Sequence, residues 1–212
     1  MTPLILHPIK WNDYSLIDSG YGRKLERFGP YMFSRPEPQA LWSQNLSNKI
    51  WNNAAGTFLS SSALEDKDEG GKWSLKPNIP ERWEMSYENI KFFAMPTAFR
   101  HLGFFPDQSP HWIWAAQKIK KFILNTSTSN PPRILNLFGY SGLASLHAAS
   151  NGASVTHVDA SKKAINFAFE NRNLSSFSNL PIKYLTDDAL KFVNREIRRE
   201  NRYDAIILDP PK

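Results

Sequence analysis

From Arg133 onward, short apolar runs and helix-length stretches alternate: ILNLF, LASLHAASNG, SVTHVD, KKAINFAFENRN, IKYL, ALKFVNREIRRE and YDAIIL. Strand-length segments separated by whole helices cannot pair as tight hairpins. What remains is a parallel sheet with crossover helices. Within this pattern Ser161 is an N-cap, Ala164, Ile165, Ala168 and Phe169 share one helix face, and Gly152 stops the preceding helix.

The residues before it read differently. YSLID (14–18), RKLERF (23–28) and YMFSR (31–35) are short, aromatic or branched, and punctuated by Gly20, Gly22 and Gly29-Pro30, which predicts a small antiparallel meander. EPQALW predicts a helical turn. Ser60–Lys72, SSSALEDKDEGGK, reads as an exposed loop or hairpin tip, and so does TSTSNPP further on. Tryptophans 42, 51, 73 and 83 follow no period and read as core or interface anchors rather than a base-stacking platform. WAAQKIKKFIL predicts a helix closing at Asn125. The expected class is therefore α/β: a small β-rich domain over 1–90, a connecting segment and helix over 91–130, and the first half of a Rossmann-like domain over 131–212.

Composition narrows the chemistry. The 212 residues contain no cysteine, which removes disulfides, thiolate metal sites and a cysteine nucleophile. Five scattered histidines lack the spacing of a metal site, so no metal is expected. No stretch is long and apolar enough for a membrane span, and MTPLILHPIK is not a signal peptide, so the expectation is a cytoplasmic protein with no membrane partner. The net charge of +6 is C-terminal in origin: 14 of 26 basic but only 8 of 20 acidic residues fall in 111–212. KFVNREIRRENR is either a solvated helix face or a surface for phosphate backbones.

Chemistry concentrates where strands end. In ILNLFGYSGLAS a buried strand runs into Gly139 and Gly142 before a helix begins, the place where open α/β sheets admit a ligand. Asp159 ends the next strand twenty residues after Gly139, the spacing at which a carboxylate meets ribose hydroxyls. The loop offers G-x-x-G, not the G-x-G-x-x-G that cradles a pyrophosphate, which favours a nucleoside cofactor without phosphates, such as S-adenosylmethionine. In TDDA, Asp188 is placed to accept from an adenine amino group and the Ala189 N–H to face a ring nitrogen; alternatively Asp187 or Asp188 caps the next helix. Asp209, Pro210 and Pro211 end the fourth strand with a carboxylate on a stiff backbone.

NLFGYSG, HVDAS, TDDA and LDPPK together resemble successive motifs of the class I S-adenosylmethionine-dependent methyltransferases, specifically the large-subunit rRNA methyltransferases of cytosine-5 and guanine-N7 type. GFFPDQSPHW resembles the segment that precedes their Rossmann core, and DSGYGRKLERFG with RPEPQALW resembles the β-rich domain of bacterial members. The resemblance implies that Phe138, Gly139 and Gly142 wrap the methionine part, Asp159 holds the ribose, Asp188 faces the adenine, Phe105 and Gln108 close the pocket, and Asp209, Pro210 and Pro211 border the target base of an RNA, expected to be rRNA. Family members continue past the acid-Pro-Pro-Lys motif, whereas this sequence stops at Lys212. The expectation is a front portion, completed by a missing C-terminal segment or a second chain, that alone binds cofactor weakly or not at all and does not turn over. Cytosine-5 chemistry needs a thiolate that these residues lack; transfer to a ring nitrogen needs mainly alignment. The competing readings are an RNA-binding fragment without activity and an NAD-dependent oxidoreductase.

Overall fold

The structure is a computed structural model that describes residues 5–6, 11–60, 71–126 and 130–210. The expected loop over Ser60–Lys72 falls largely outside these residues, as do residues 127–129 of TSTSNPP and Pro211. The chain divides into two compact units, residues 10–87 with 93–106, and the remainder.

In the first unit β1 (Tyr14–Gly20), β2 (Arg23–Phe28) and β3 (Tyr31–Pro36) form the expected antiparallel meander. The sheet then departs from a meander, because β4 (Gly56–Ser60) joins β3 in parallel and β5 (Gly71–Leu75) closes antiparallel, in the order β1-β2-β3-β4-β5. A parallel step needs a connection that returns the chain to the same end. The segment between Pro36 and Gly56 does this, and its helix α1 is Asn48–Trp51. EPQALW is not helical: Ala40 N–H donates to Glu37 O at 2.9 Å, a turn. Trp51 and Trp83 are buried, as expected of anchors, with Phe33 stacked on Trp83 at 5.4 Å, while Trp42 is exposed. β6 (Trp83–Tyr87) and β7 (Ile90–Ala94) make a two-stranded hairpin.

In the second unit α2 (Ser109–Asn125) precedes β8 (Arg133–Leu137), α3 (Leu143–Ser150), β9 (Ser154–Asp159), α4 (Lys162–Leu174), β10 (Ile182–Thr186), α5 (Ala189–Arg198) and β11 (Ala205–Leu208). Every strand pair is parallel and the order is β10-β9-β8-β11. The chain thus steps outward from β8 through β9 to β10, then crosses back to β8's other side. That reversal opens a crevice at the C-terminal end of β8. Register fixes the faces. Leu135, Leu137, Val158 and Leu185 share the side packed by Phe192 and Val193 of α5; Asn136, His157 and Tyr184 form a row on the opposite side. Ser161 accepts from Ala164 N at 3.2 Å and caps α4 as expected. The buried face of α4 is Ala164, Phe167, Ala168 and Asn171, so Phe169 stands on the exposed side. The rotation follows from a polar contact that periodicity of apolar residues does not register: Asn171 Nδ2 donates to Ser141 O at 2.9 Å inside the core.

Candidate functional site

Four parallel strands place their C-terminal ends along one edge, and each ends in a candidate residue: the Phe138–Gly142 loop after β8, Asp159 at the end of β9, Asp187 and Asp188 after β10, Asp209 and Pro210 after β11. The loop after β8 inverts the usual division of labour. Phe138 (φ +56°) and Tyr140 (φ +44°) adopt left-handed backbone, whereas Gly139 between them does not. Left-handed backbone at non-glycine residues is uncommon and persists where surrounding structure imposes it. Gly142 (φ +81°) is left-handed, serves as N-cap of α3, and lies so near Ala168 that a Cβ would sit 2.8 Å from that methyl group. Glycine is required there on both counts.

Asp159 organises the loop. Its Oδ2 accepts from Tyr140 N at 2.9 Å and its Oδ1 from Ser161 N at 2.8 Å, while Asp187 N donates to Asp159 O at 2.9 Å. One residue, through its carboxylate and its backbone carbonyl, thereby ties together the ends of β8, β9 and β10. Each oxygen has one donor and capacity for a second. Burial, with the Asp159 carboxylate beside it, pushes the Tyr140 phenol up to about 12. Tyr140 is therefore a neutral hydrogen-bonding group at physiological pH.

The two acids after β10 divide their roles. Asp188 Oδ1 accepts from Lys191 N at 2.8 Å and caps α5. Asp187 pairs with Arg195. Ala189 opens α5, where backbone N–H groups lack intrahelical acceptors. Asp209 and Pro210 are exposed at the end of β11, the last strand of the sheet among the described residues, where Ile206 and Leu208 are also exposed. Gln108 ends a short 3-10 turn ahead of α2, with its Oε1 2.8 Å from His111 Nδ1. Phe105 belongs to the β-rich unit, exposed and tilted against His101 at 5.0 Å between ring centroids.

The basic stretch is half neutralised. Arg195 holds Asp187 and Arg199 approaches Glu196 at 3.4 Å, while Lys191, Arg198 and Arg202 are exposed. A shallow concavity of about 610 Å³ on α5 is lined by Lys191, Asn194, Arg195, Ile197 and Arg198, away from the glycine loop. Among the described residues no group of three or more His, Asp or Glu side chains could hold a metal, and no helix is long and apolar enough to cross a membrane.

The sequence pattern missed a polar group beneath the loop. Asn136 Nδ2 donates to Ser145 Oγ at 2.9 Å, and Ser145 Oγ lies 2.9 Å from His157 Nδ1; all three are buried. Burial lowers His157 to about 4, partly opposed by Asp159, so the ring is neutral. The signal was present as two polar residues, Asn136 and His157, inside otherwise apolar strands.

Known proteins match this arrangement. The family profile described as Conserved hypothetical protein 95 matches residues 115–211. A ribosomal RNA large subunit methyltransferase K/L of Syntrophotalea carbinolica is 32% identical over 132 residues, 62% of this chain and 17% of the relative. Its namesake from Hahella chejuensis is 30% identical over 158 residues, 68% of this chain and 20% of the relative. The crystal structure of a SAM-dependent methyltransferase from Agrobacterium tumefaciens superposes with a TM-score of 0.89 at 43% identity, covering 100% of this chain and 64% of that one. The chain thus spans about a fifth of the two curated relatives and under two thirds of the crystallised one. With parallel strands ordered β10-β9-β8-β11 and these likenesses, the chain carries the class I S-adenosylmethionine-dependent methyltransferase fold and is similar to the bacterial large-subunit ribosomal RNA methyltransferases.

Proposed function

We propose that the protein is an S-adenosylmethionine-dependent methyltransferase acting on a base of RNA, in keeping with the names of its relatives a base of large-subunit rRNA. The observation that carries this reading is Asp159, whose two oxygens each hold one backbone N–H and keep capacity for one more donor, at the edge where the switch in strand order opens a crevice. A ribose diol supplies two such donors.

The remaining residues fit around that anchor. Phe138, Gly139 and Gly142 border the methionine portion. Asp188, with one oxygen on the α5 cap, offers the other to the adenine amino group, and the Ala189 N–H is directed to a ring nitrogen. The chemistry supplied by bound S-adenosylmethionine is an electrophilic methyl group on a sulfonium. The protein's part is alignment: Gln108 closes the cofactor side, and Asp209, Pro210 and Pro211 border the target base so that its lone pair lies in line with the methyl. Exposed Lys191, Arg198 and Arg202 suit a phosphate backbone. The exposed Ile206 and Leu208 on β11, which pairs on one side only among the described residues, support a further segment, from this polypeptide or a second one, covering β11.

The test is calorimetry with S-adenosylhomocysteine and NAD in competition, followed by labelled methyl transfer to unmodified large-subunit rRNA. The expected outcome is weak saturable binding that NAD does not displace and that Asp159→Ala abolishes, with no methyl transfer by these residues alone. Displacement by NAD, or RNA binding with no response to either cofactor, would overturn the proposal.

A further inference from the structure

The glycine loop rests on an imidazole. A Cβ at Gly139 would lie 2.3 Å from His157 Cε1, 2.5 Å from Nδ1 and 2.8 Å from Nε2, so the loop backbone lies directly against the ring. Gly139 is not in the left-handed region; its missing side chain is demanded by that ring, not by backbone conformation. The left-handed residues are its neighbours Phe138 and Tyr140, and such conformations need to be held.

The holding groups come from three consecutive residues of β9. Gly139 N–H donates to Val158 O at 3.1 Å, Tyr140 N–H donates to Asp159 Oδ2 at 2.9 Å, and His157 supplies the floor. The ring is itself fixed. Asn136 Nδ2 donates to Ser145 Oγ, and Ser145 Oγ lies 2.9 Å from His157 Nδ1, so the hydroxyl holds the imidazole in either tautomer, as acceptor from Nδ1–H or as donor to Nδ1. Asn136, His157 and Tyr184 are direct cross-strand neighbours, and the Tyr184 ring closes on the imidazole at 5.0 Å between centroids.

We propose that His157 is a positioning residue: clamped by Asn136 through Ser145, its imidazole is the rigid floor that keeps Phe138–Tyr140 in their left-handed conformation and presents the loop to the nucleoside. The ligand half of this statement rests on the methyltransferase reading; the loop half does not. The experiment separates them by measuring amide hydrogen exchange at Tyr140 and Gly142 without ligand, and S-adenosylhomocysteine binding by calorimetry. Variants are Gly139→Ala, His157→Ala, the pair combined, and Gly139→Ala with His157→Phe.

Gly139→Ala is expected to speed exchange at Tyr140 and weaken binding, each by about tenfold or more. Adding His157→Ala should reverse most of both effects, because the new methyl group then has room. Adding His157→Phe should not, since a ring still occupies the floor. Simple additivity of Gly139→Ala and His157→Ala overturns the proposal. Should Gly139→Ala fail to fold, His157→Ala in the otherwise unaltered protein decides: faster exchange at Tyr140 is expected, and exchange equal to that of the unaltered protein refutes the floor. Non-additive exchange in a protein that binds no nucleoside would remove the ligand half of the proposal and leave the role of His157 in the loop standing.

Discussion

The two units bury polar groups in opposite ways. In the β-rich unit Asp18 is fully consumed, accepting from Ser19 N, Asn45 N, Leu46 N and Trp51 Nε1, and Glu26 accepts from Tyr14 Oη and twice from Arg35 with a side chain only 2% exposed, closed to any ligand. In the parallel-sheet unit the polar row beneath the glycine loop, Asn136, Ser145 and His157, is neutral, the buried acid Glu196 is engaged by Arg199, Asn201 and Tyr203, and Asp159 and Asp188 at the strand ends keep acceptor capacity. A carboxylate with every lone pair engaged by its own chain holds a fold together. One with a lone pair in reserve can also take a ligand. The contrast separates scaffold from candidate site without reference to any relative.

The largest test of this contrast is Glu26→Ala. Burial alone would raise the Glu26 carboxyl, but the Arg35 guanidinium at 2.7 Å, Lys24 and the Tyr14 hydroxyl together hold the group below its ordinary value. Removing the acid leaves a buried guanidinium without its counter-charge, so urea denaturation should show a loss of about 3–5 kcal/mol in the β-rich unit. Replacing the two partners together, Glu26→Met with Arg35→Leu, should cost far less. A single substitution costing under about 1 kcal/mol would break the comparison, since exposed ion pairs cost no more.

Acid should then unfold the units in different windows. Burial lowers His157 to about 4, with Asp159 opposing, and lowers His147 to about 3, with Glu88 Oε2 3.8 Å from its Nδ1. An unfolded histidine titrates near 6.5, so below that pH the unfolded state binds more protons than the native one. Stability of the parallel-sheet unit is full above about 6.5 and falls by about 1.4 kcal/mol per pH unit for each histidine as pH drops toward their native values. Glu26 acts lower: its contribution is present above its ordinary 4.5 and lost as pH falls through its depressed native value. Amide exchange between pH 6.5 and 4.5 should therefore show weakening of β8–β10 while β1–β3 hold. Parallel weakening of both sheets would contradict the assignment of charge states.

Much of the parallel unit was legible because crossover connections force a spacing on the chain, and strand ends there are marked by Gly139, Asp159, Asp188 and Asp209. The parallel step from β3 to β4 was not, since it depends on how the Pro36–Gly56 segment returns, which no local propensity records. Buried polar side chains were the other blind spot. Asn171 turned α4 away from the face read from apolar spacing, and Gly139, read as making room for a ligand, makes room for His157. Each is a contact between elements, invisible to any window along the sequence.

Asp159→Asn sharpens the comparison at intermediate scale. The amide has one acceptor oxygen where the carboxylate has two, so either Tyr140 N–H or Ser161 N–H loses its partner. A loss of about 1–3 kcal/mol is expected in thermal unfolding, with faster exchange at one of those two amides only.

The smallest expected effect is also the most discriminating, because Asp188 both caps α5 and is proposed to meet the adenine. Asp188→Ala should cost about 1 kcal/mol of stability through the lost cap. Asp188→Asn preserves the cap, since asparagine is as good an N-cap as aspartate, and should leave the melting temperature unchanged. Its remaining group, however, is an amide donor where the carboxylate offered an acceptor, and a donor cannot receive the adenine amino protons. S-adenosylhomocysteine binding should therefore weaken in Asp188→Asn while stability does not. Equal binding by Asp188→Asn and the unaltered protein would reduce Asp188 to a helix cap, and leave the nucleoside reading resting on Asp159.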